Sequence, residues 1–174
     1  MDTGRDFLRA QLNNSIAQHG HLIESIRDHS EQAEEPRFRQ LCLQYLPALE
    51  RHQGMLEQYG KSVGAESGGG FVKGAIGAVL GKARDAVDSM RESDFLRVVA
   101  DIVMIRQAQD TFRTLAVAGA EINEPQLAEI GSSAAVHHDD MQRDFNELAA
   151  ELFVLQVNKG TDAGIRDGSK SRMS

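Results

Sequence analysis

The stretch of residues 127–155, LAEIGSSAAVHHDDMQRDFNELAAELFVL, repeats apolar side chains at alternating three- and four-residue spacing. That spacing places them on one face of an α-helix. The positions of this face are Leu127, Ile130, Ala134, His138, Met141, Phe145, Leu148, Leu152 and Leu155. One of them is polar, His138 within His137-His138-Asp139-Asp140. The stretch therefore predicts a long bundle helix that turns one histidine toward the core.

Three further segments show the same periodicity, and each also contains one polar break. The first runs to about His29 and can be capped by Asp2 or Thr3, the second opens at Pro36, and the third can be capped by Ser93. Their apolar faces are Leu12, Ile16, His19, Ile23 and Ile26; Phe38, Cys42, Tyr45, Leu49, His52, Leu56, Tyr59 and Val63; and Phe95, Val98, Ile102, Ile105, Gln109, Phe112 and Ala116. Pro47 is expected to bend the second helix without ending it.

Length and composition favour one all-α domain. The chain has 174 residues, 41% hydrophobic and 5% aromatic content, three prolines and no Trp. This composition suits a Leu/Ala-rich helical protein better than a β-sheet. We predict a four-helix bundle domain over residues 1–158 and a disordered Gly/Ser/charged tail over residues 159–174.

Residues 61–93 connect the second helix to the third. The Gly68-Gly69-Gly70 triplet predicts a flexible joint. Residues 71–90 regain a helical period, and two interpretations stay open for them. They form a short helix laid across the bundle, or they present a surface that meets a protein partner or a membrane interface.

Charge and cysteine content bound the partners and the compartment. A net charge of −7 gives no general attraction to nucleic acid or anionic lipid. The single cysteine, Cys42, falls on an apolar seam and is expected to be a core residue in a reducing compartment. No signal-peptide pattern or apolar run long enough to span a bilayer is found, so a cytoplasmic location is the default expectation.

The polar breaks His19, His52, Gln109 and His138 all fall near the middle of their helices, so they are predicted to share one layer. Three neutral imidazoles in one layer suit zinc, copper or iron, with Gln109, a nearby Asp or water completing the ligands. The alternative is a hydrogen-bonded polar layer, left from a lost metal site, that specifies the register of the helices. No nucleophile arrangement or phosphate-binding loop is supported.

The chain resembles the ferritin-like superfamily over roughly residues 5–157. The similarity rests on residues 37–60, RFRQLCLQYLPALERHQGMLEQYG, on AQDTFRTLA at 108–116 and on NELA at 146–149. Within the superfamily the chain is most similar to the small stress-associated bacterial proteins of the YciE and YciF type. The resemblance implies two antiparallel helix hairpins joined by a long crossover that contains a short extra helix. Such bundles commonly pair through helix faces, so the resemblance also implies that a second copy of this chain is a possible partner in a homodimer. No sequence feature decides between monomer and dimer.

This chain lacks the pattern of ligands that forms the family's di-iron centre. That centre uses a Glu from each of two helices and a Glu-x-x-His pair from each of the other two. The corresponding positions hold Leu49 before His52, Ala135 before His138, and Gln18 with Ala108 or Gln109 on the other helices. The expected function is therefore a non-catalytic or weakly metal-binding bundle, stress-associated by resemblance. The alternatives are a metal-dependent redox or metal-handling protein that uses a His-rich mid-bundle site, and a binding module that acts through residues 71–90.

Overall fold

The computed structural model describes residues 3–65 and 93–170, with side chains as far as Lys159. These residues form the helices α1 (Thr3–Gln32), α2 (Pro36–Ser62), α3 (Asp94–Glu121) and α4 (Pro125–Lys170), and they contain no strand. Within these two ranges, the prediction of an all-α fold with four long helices is confirmed. The predicted glycine joint and the helix at 71–90 lie outside the described residues.

The helix boundaries agree with the predicted capping residues in most details. Pro36 opens α2, and the carboxylate of Glu35 accepts a 3.4 Å hydrogen bond from the backbone N–H of Arg37. The helix continues through Pro47 without a break, as predicted. Ser93 stands at the N-cap of α3, but its hydroxyl makes no capping hydrogen bond, so the predicted position is right and the predicted contact is not made.

α4 is longer than the sequence predicts. Its backbone is helical to Lys170, whereas the tail after residue 158 is predicted to be disordered. A packed helix can continue into a polar segment, because each added residue contributes one more backbone hydrogen bond without a new nucleation cost. The domain boundary at residue 158 stays a prediction. Within the described residues, no helix has an apolar stretch long enough to cross a membrane.

α3 and α4 form a tight hairpin. Asn123 ends α3 with a φ of 58°, in the left-handed region that Asn adopts more readily than most residues. The backbones then approach closely at two glycines: a Cβ on Gly119 would lie 2.5 Å from the amide nitrogen of Ala128, and one on Gly131 would lie 2.6 Å from the carbonyl oxygen of Phe112. Only glycine fits at these crossings.

Contacts between the helices give their directions. The guanidinium of Arg9 donates a 2.8 Å hydrogen bond to the carbonyl oxygen of Val63, so the end of α2 lies beside the start of α1. The backbone N–H of Glu35 donates to the carboxylate of Asp94 at 2.6 Å, so the start of α3 lies beside the end of α1. α2 and α3 consequently run in the same direction, and each is antiparallel to α1.

The apolar core has two separate parts. One lies toward the α1–α2 turn and contains Leu22, Ile26, Phe38, Ile105 and Phe145 among others. The other lies toward the α3–α4 turn and contains Leu12, Leu56, Phe112, Leu127 and Ile130 among others. On all four helices the polar breaks predicted from the sequence fall between the two parts. The core is therefore interrupted at mid-bundle by a layer of polar side chains.

Candidate functional site

Three histidines meet in this mid-bundle layer. His19 is 2% exposed, and His52 and His138 are fully buried. The ring centroids of His19 and His138 lie 5.3 Å apart, and those of His52 and His138 lie 6.3 Å apart. The predictions that His138 faces inward and that the three histidines share one layer are confirmed by these positions. We call His19, His52 and His138 the histidine layer.

α3 contributes an aromatic ring to the layer. The ring of Phe112 lies 5.0 Å from that of His19, 5.1 Å from that of His138 and 6.3 Å from that of His52, measured between centroids. Phe112 belongs to the apolar seam of α3, and nothing in the sequence singles it out as the residue that packs against all three histidines. Its ring packs beside the imidazoles and offers their nitrogens no strong hydrogen-bond acceptor.

Gln109 lies at the predicted level of the bundle, but its side chain makes its hydrogen bond outside the histidine layer. It is 9% exposed, and its amide nitrogen donates to the carboxylate of Asp139. The same carboxylate accepts a 2.7 Å hydrogen bond from Arg113, which is exposed. Gln109 is thus part of a polar link between α3 and α4, and its role as a metal ligand stays a prediction without a supporting contact.

The hydrogen bonds of His19 determine which of its nitrogens carries the proton. Its Nδ1 lies 2.8 Å from Oε1 of Gln53. The amide nitrogen of Gln53 donates to the Ile16 carbonyl at 3.1 Å and to the Glu57 carboxylate at 2.8 Å, so Oε1 of Gln53 is the acceptor for His19. Nδ1 of His19 therefore carries the hydrogen, and its Nε2 has a lone pair that is buried and has no hydrogen-bond partner.

His138 has the same tautomer for a different reason. Its Nδ1 donates to the backbone carbonyl of Ala134 at 2.7 Å, and a carbonyl can only accept. Its Nε2 is likewise buried with a lone pair and without a partner. Two imidazoles on different helices thus each have an anchored N–H and an unpaired lone pair. In histidines that bind metals, the N–H of the nitrogen that does not bind the ion is usually held by an oxygen acceptor in this way.

His52 has no hydrogen bond at either ring nitrogen, although both are buried. Among the described residues, no hydrogen bond joins the three rings to one another, so the layer contains four unsatisfied buried nitrogens: Nε2 of His19, Nε2 of His138, and both nitrogens of His52. Each such group costs about 1–3 kcal/mol of stability. The layer therefore differs from the hydrogen-bonded network that the sequence left open as an alternative.

Burial keeps the layer neutral. Desolvation, reinforced by His138, lowers the pKa of His19 to about 3. Desolvation, reinforced by His137 and His138, lowers the pKa of His52 to about 4. Desolvation also lowers the pKa of His138. Neutral imidazole is the form that binds metals, so no proton has to leave these rings near neutral pH before an ion can bind.

A fourth histidine lies at the edge of the layer. His137 is half-exposed, and its ring centroid is 4.8 Å from that of His52. Its Nδ1 donates to the backbone carbonyl of Ser133 at 2.9 Å. The sequence did not identify His137 as part of the site, because a residue next to an inward-facing position on a helix is turned about 100° from it. The His137-His138 doublet is the only feature of the sequence that points to His137.

The other polar residues considered from the sequence lie outside the layer. Asp101 is fully buried, where it accepts 2.7 Å hydrogen bonds from the hydroxyl of Ser25 and from Nδ1 of His29. His21 is exposed, as predicted. Cys42 is buried in the core, and desolvation raises the pKa of its thiol, as expected for an unreactive core cysteine.

The residues around the layer do not fit the di-iron centre implied by the ferritin-like resemblance. That centre needs bridging carboxylates, and its positions hold Leu49, Ala135, Gln18 and Ala108 or Gln109. Among residues 3–65 and 93–159, moreover, no three His, Cys, Asp or Glu side chains already stand around one position from which all could bind a metal ion. Any ion in the layer would have to be held by the imidazoles after a side-chain rotation.

Comparison of the chain with protein-family models, with curated proteins and with solved structures finds no match. The similarity to the ferritin-like superfamily therefore stays a prediction from the sequence, and the function has to be argued from the histidine layer itself.

Proposed function

We propose that this chain is a four-helix bundle of the ferritin-like kind that binds one transition-metal ion weakly through His19, His52 and His138. The supporting observation is the pair of anchored imidazoles. Both His19 and His138 donate Nδ1–H to an oxygen, and both leave Nε2 buried with an unpaired lone pair. A bound cation would satisfy these nitrogens, because a ring lone pair is the group that coordinates a metal.

The spacing of the rings supports a single ion. Two imidazoles bound through nitrogen to one tetrahedral ion have ring centroids about 5 Å apart, because each nitrogen lies about 2 Å from the metal. The centroids of His19 and His138 are separated by 5.3 Å. Those of His52 and His138, at 6.3 Å, are farther apart. His52 would have to turn toward the other two, and no hydrogen bond holds it in place.

The ligand chemistry indicates which ions to expect. Neutral imidazole suits zinc, copper and iron, whereas magnesium and calcium prefer carboxylate, carbonyl and water oxygens. With no carboxylate in the layer, oxygen-bridged di-iron chemistry is not part of the proposal. We therefore propose metal binding or handling and assign no catalytic reaction.

The helix directions support the ferritin-like topology. The end of α2 lies beside Arg9, near the start of α1, and the start of α3 lies beside Glu35, just after the end of α1. A connection between these two points has to cover the length of the bundle, as the long crossover of ferritin-like folds does. About twenty-three helical residues of α1 separate the two levels, or roughly 35 Å. Residues 66–92 are numerous enough for that distance.

The proposal is tested by zinc binding to protein purified without a histidine tag and stripped with a chelator. Isothermal titration of the wild-type chain should give one zinc ion per chain. His52→Leu removes one of the three ligands and should weaken binding at least about tenfold, or about 1.4 kcal/mol. His21→Leu removes an exposed imidazole from α1 and is the matched control, with wild-type affinity expected.

Two results would contradict the proposal. One is a wild-type chain that takes up no zinc above background by elemental analysis. The other is equal affinity in His52→Leu and His21→Leu. Circular dichroism of both variants, compared with the wild type, shows whether a loss of binding has to be attributed to unfolding, and His19→Gln provides a second ligand variant if His52→Leu does not fold.

A further inference from the structure

We propose that His137 is the solvent-side ligand through which a transition-metal ion enters and leaves the histidine layer, with His52 passing the ion between His137 and the two anchored histidines. This inference rests on the proposed function. The three buried ligands of the proposed site do not by themselves provide a route for an ion between the site and solvent.

The need for such a route follows from burial. His19, His52 and His138 are each 2% exposed or less. A hydrated ion cannot reach them directly, because its bound waters have to be replaced stepwise by protein ligands. A ligand that contacts both solvent and the buried rings would lower this barrier. Among the described residues, His137 meets both conditions, since it is half-exposed and its ring lies 4.8 Å from that of His52.

His137 is also prepared for coordination in the same way as the buried rings. Its Nδ1–H is held by the Ser133 carbonyl at 2.9 Å, so Nε2 has the lone pair. Neighbouring positions on a helix differ by about 100°, so His137 and His138 present ligands at two depths from one helix. The outer ligand faces the edge of the bundle and the inner one faces the core.

His52 is the residue that can serve both depths. Its ring is near both, 4.8 Å from that of His137 and 6.3 Å from that of His138. Both of its nitrogens are buried and without a hydrogen bond, so its ring can rotate without breaking one. Exchange then consists of two coordination steps: the ion first binds to His137 and His52, and His19 and His138 next replace His137 and the remaining waters.

The test is the rate of Co²⁺ uptake, followed by the visible absorption of the bound ion in a stopped-flow instrument. His137→Gln keeps a polar side chain at the edge but removes the imidazole, and His21→Gln is the matched exposed control. We expect His137→Gln to slow association at least about tenfold, which corresponds to a barrier about 1.4 kcal/mol higher. Because only the route is changed, release to excess chelator should slow by the same factor, and the equilibrium affinity should stay within about threefold of the wild type.

Each other outcome has a definite meaning. Uptake by His137→Gln at the wild-type rate overturns the entry role. A large loss of affinity with unchanged association also overturns it, because His137 would then be a ligand of the final site. If the wild-type chain binds neither Co²⁺ nor zinc, the proposed function itself fails and this inference fails with it. If the wild type binds but His137→Gln behaves like His21→Gln, only this inference fails.

Discussion

The interior of the bundle contains two polar regions that are built in opposite ways. In the first, the buried carboxylate of Asp101 accepts hydrogen bonds from Ser25 and His29, and each of its oxygens has a partner at 2.7 Å. In the second, neither ring nitrogen of His52 makes a hydrogen bond, and His19 and His138 each have one nitrogen without a hydrogen-bond partner. Both regions connect helices, but only the first satisfies its own polar atoms.

This difference in hydrogen bonding predicts that the Asp101 region stabilises the fold and that the histidine layer binds a ligand. A buried side chain with a hydrogen bond at each of its oxygens holds α1 against α3 and leaves no unpaired atom for a ligand. A group of neutral rings with unpaired lone pairs weakens the fold of the empty protein and retains binding capacity. Loss of stability at a site that binds something is a common feature of functional sites. The histidine layer is therefore where a ligand is expected.

Lowering the pH should reduce the free energy of unfolding of the metal-free protein more than any of the single substitutions described below. The pKa values of His19 and His52 are about 3 and about 4 in the folded chain, below the ordinary 6.5, so the unfolded chain binds protons first as the pH falls. The stability that depends on the titration of these two histidines is therefore fully present in the metal-free protein above pH 6.5 and is lost toward pH 4. The expected loss between pH 7 and pH 5 is about 2 kcal/mol for each of the two histidines, or about 4 kcal/mol together.

The measurement is the free energy of unfolding in urea at a series of pH values. His19→Gln/His52→Leu should show a correspondingly flatter pH dependence over this interval, because its two positions no longer titrate. The same steepness in the double variant and the wild type would show that these rings are not the source of the acid sensitivity.

Removing one partner from the satisfied region should have the next largest effect. His29→Leu leaves the fully buried carboxylate of Asp101 with only the Ser25 hydroxyl, and His29 itself is mostly buried, with a side chain 16% exposed. We expect the free energy of unfolding to fall by about 2 kcal/mol, the usual cost of leaving a buried polar group without one of its hydrogen-bond partners. Urea denaturation at pH 7 measures it, with exposed His21→Leu as the control. A loss under about 1 kcal/mol would mean that the carboxylate does not depend on this partner.

The same replacement in the histidine layer should have the smallest effect and the opposite sign. His52→Leu removes two unsatisfied nitrogens from the core without leaving a partner unpaired. The metal-free variant is expected to be about 1 kcal/mol more stable than the wild type. Thermal unfolding with chelator present, beside His29→Leu, makes the comparison. Destabilisation of His52→Leu by as much as His29→Leu would show that His52 has a structural role that its contacts do not reveal.

Much of the site was predictable because helical periodicity is local. The spacing of apolar residues predicted four helices and placed His19, His52, Gln109 and His138 at the same level. It also predicted that His138, and not His137, faces the core. Three of the four predicted residues do come together. Gln109 does not join them, because Asp139 on the neighbouring helix offers its amide a charged acceptor.

Residue spacing along a single helix is enough to predict the four described helices, their apolar faces and the level of the polar breaks. Which polar atoms pair with one another depends on the packing of the helices. Gln53 accepts a hydrogen bond from His19, the ring of Phe112 packs against the imidazoles, and His29 donates a hydrogen bond to Asp101 on another helix. The rotation and relative shift of neighbouring helices determine which side chains meet. The rotamers and hydrogen-bond partners of those side chains then follow from this packing.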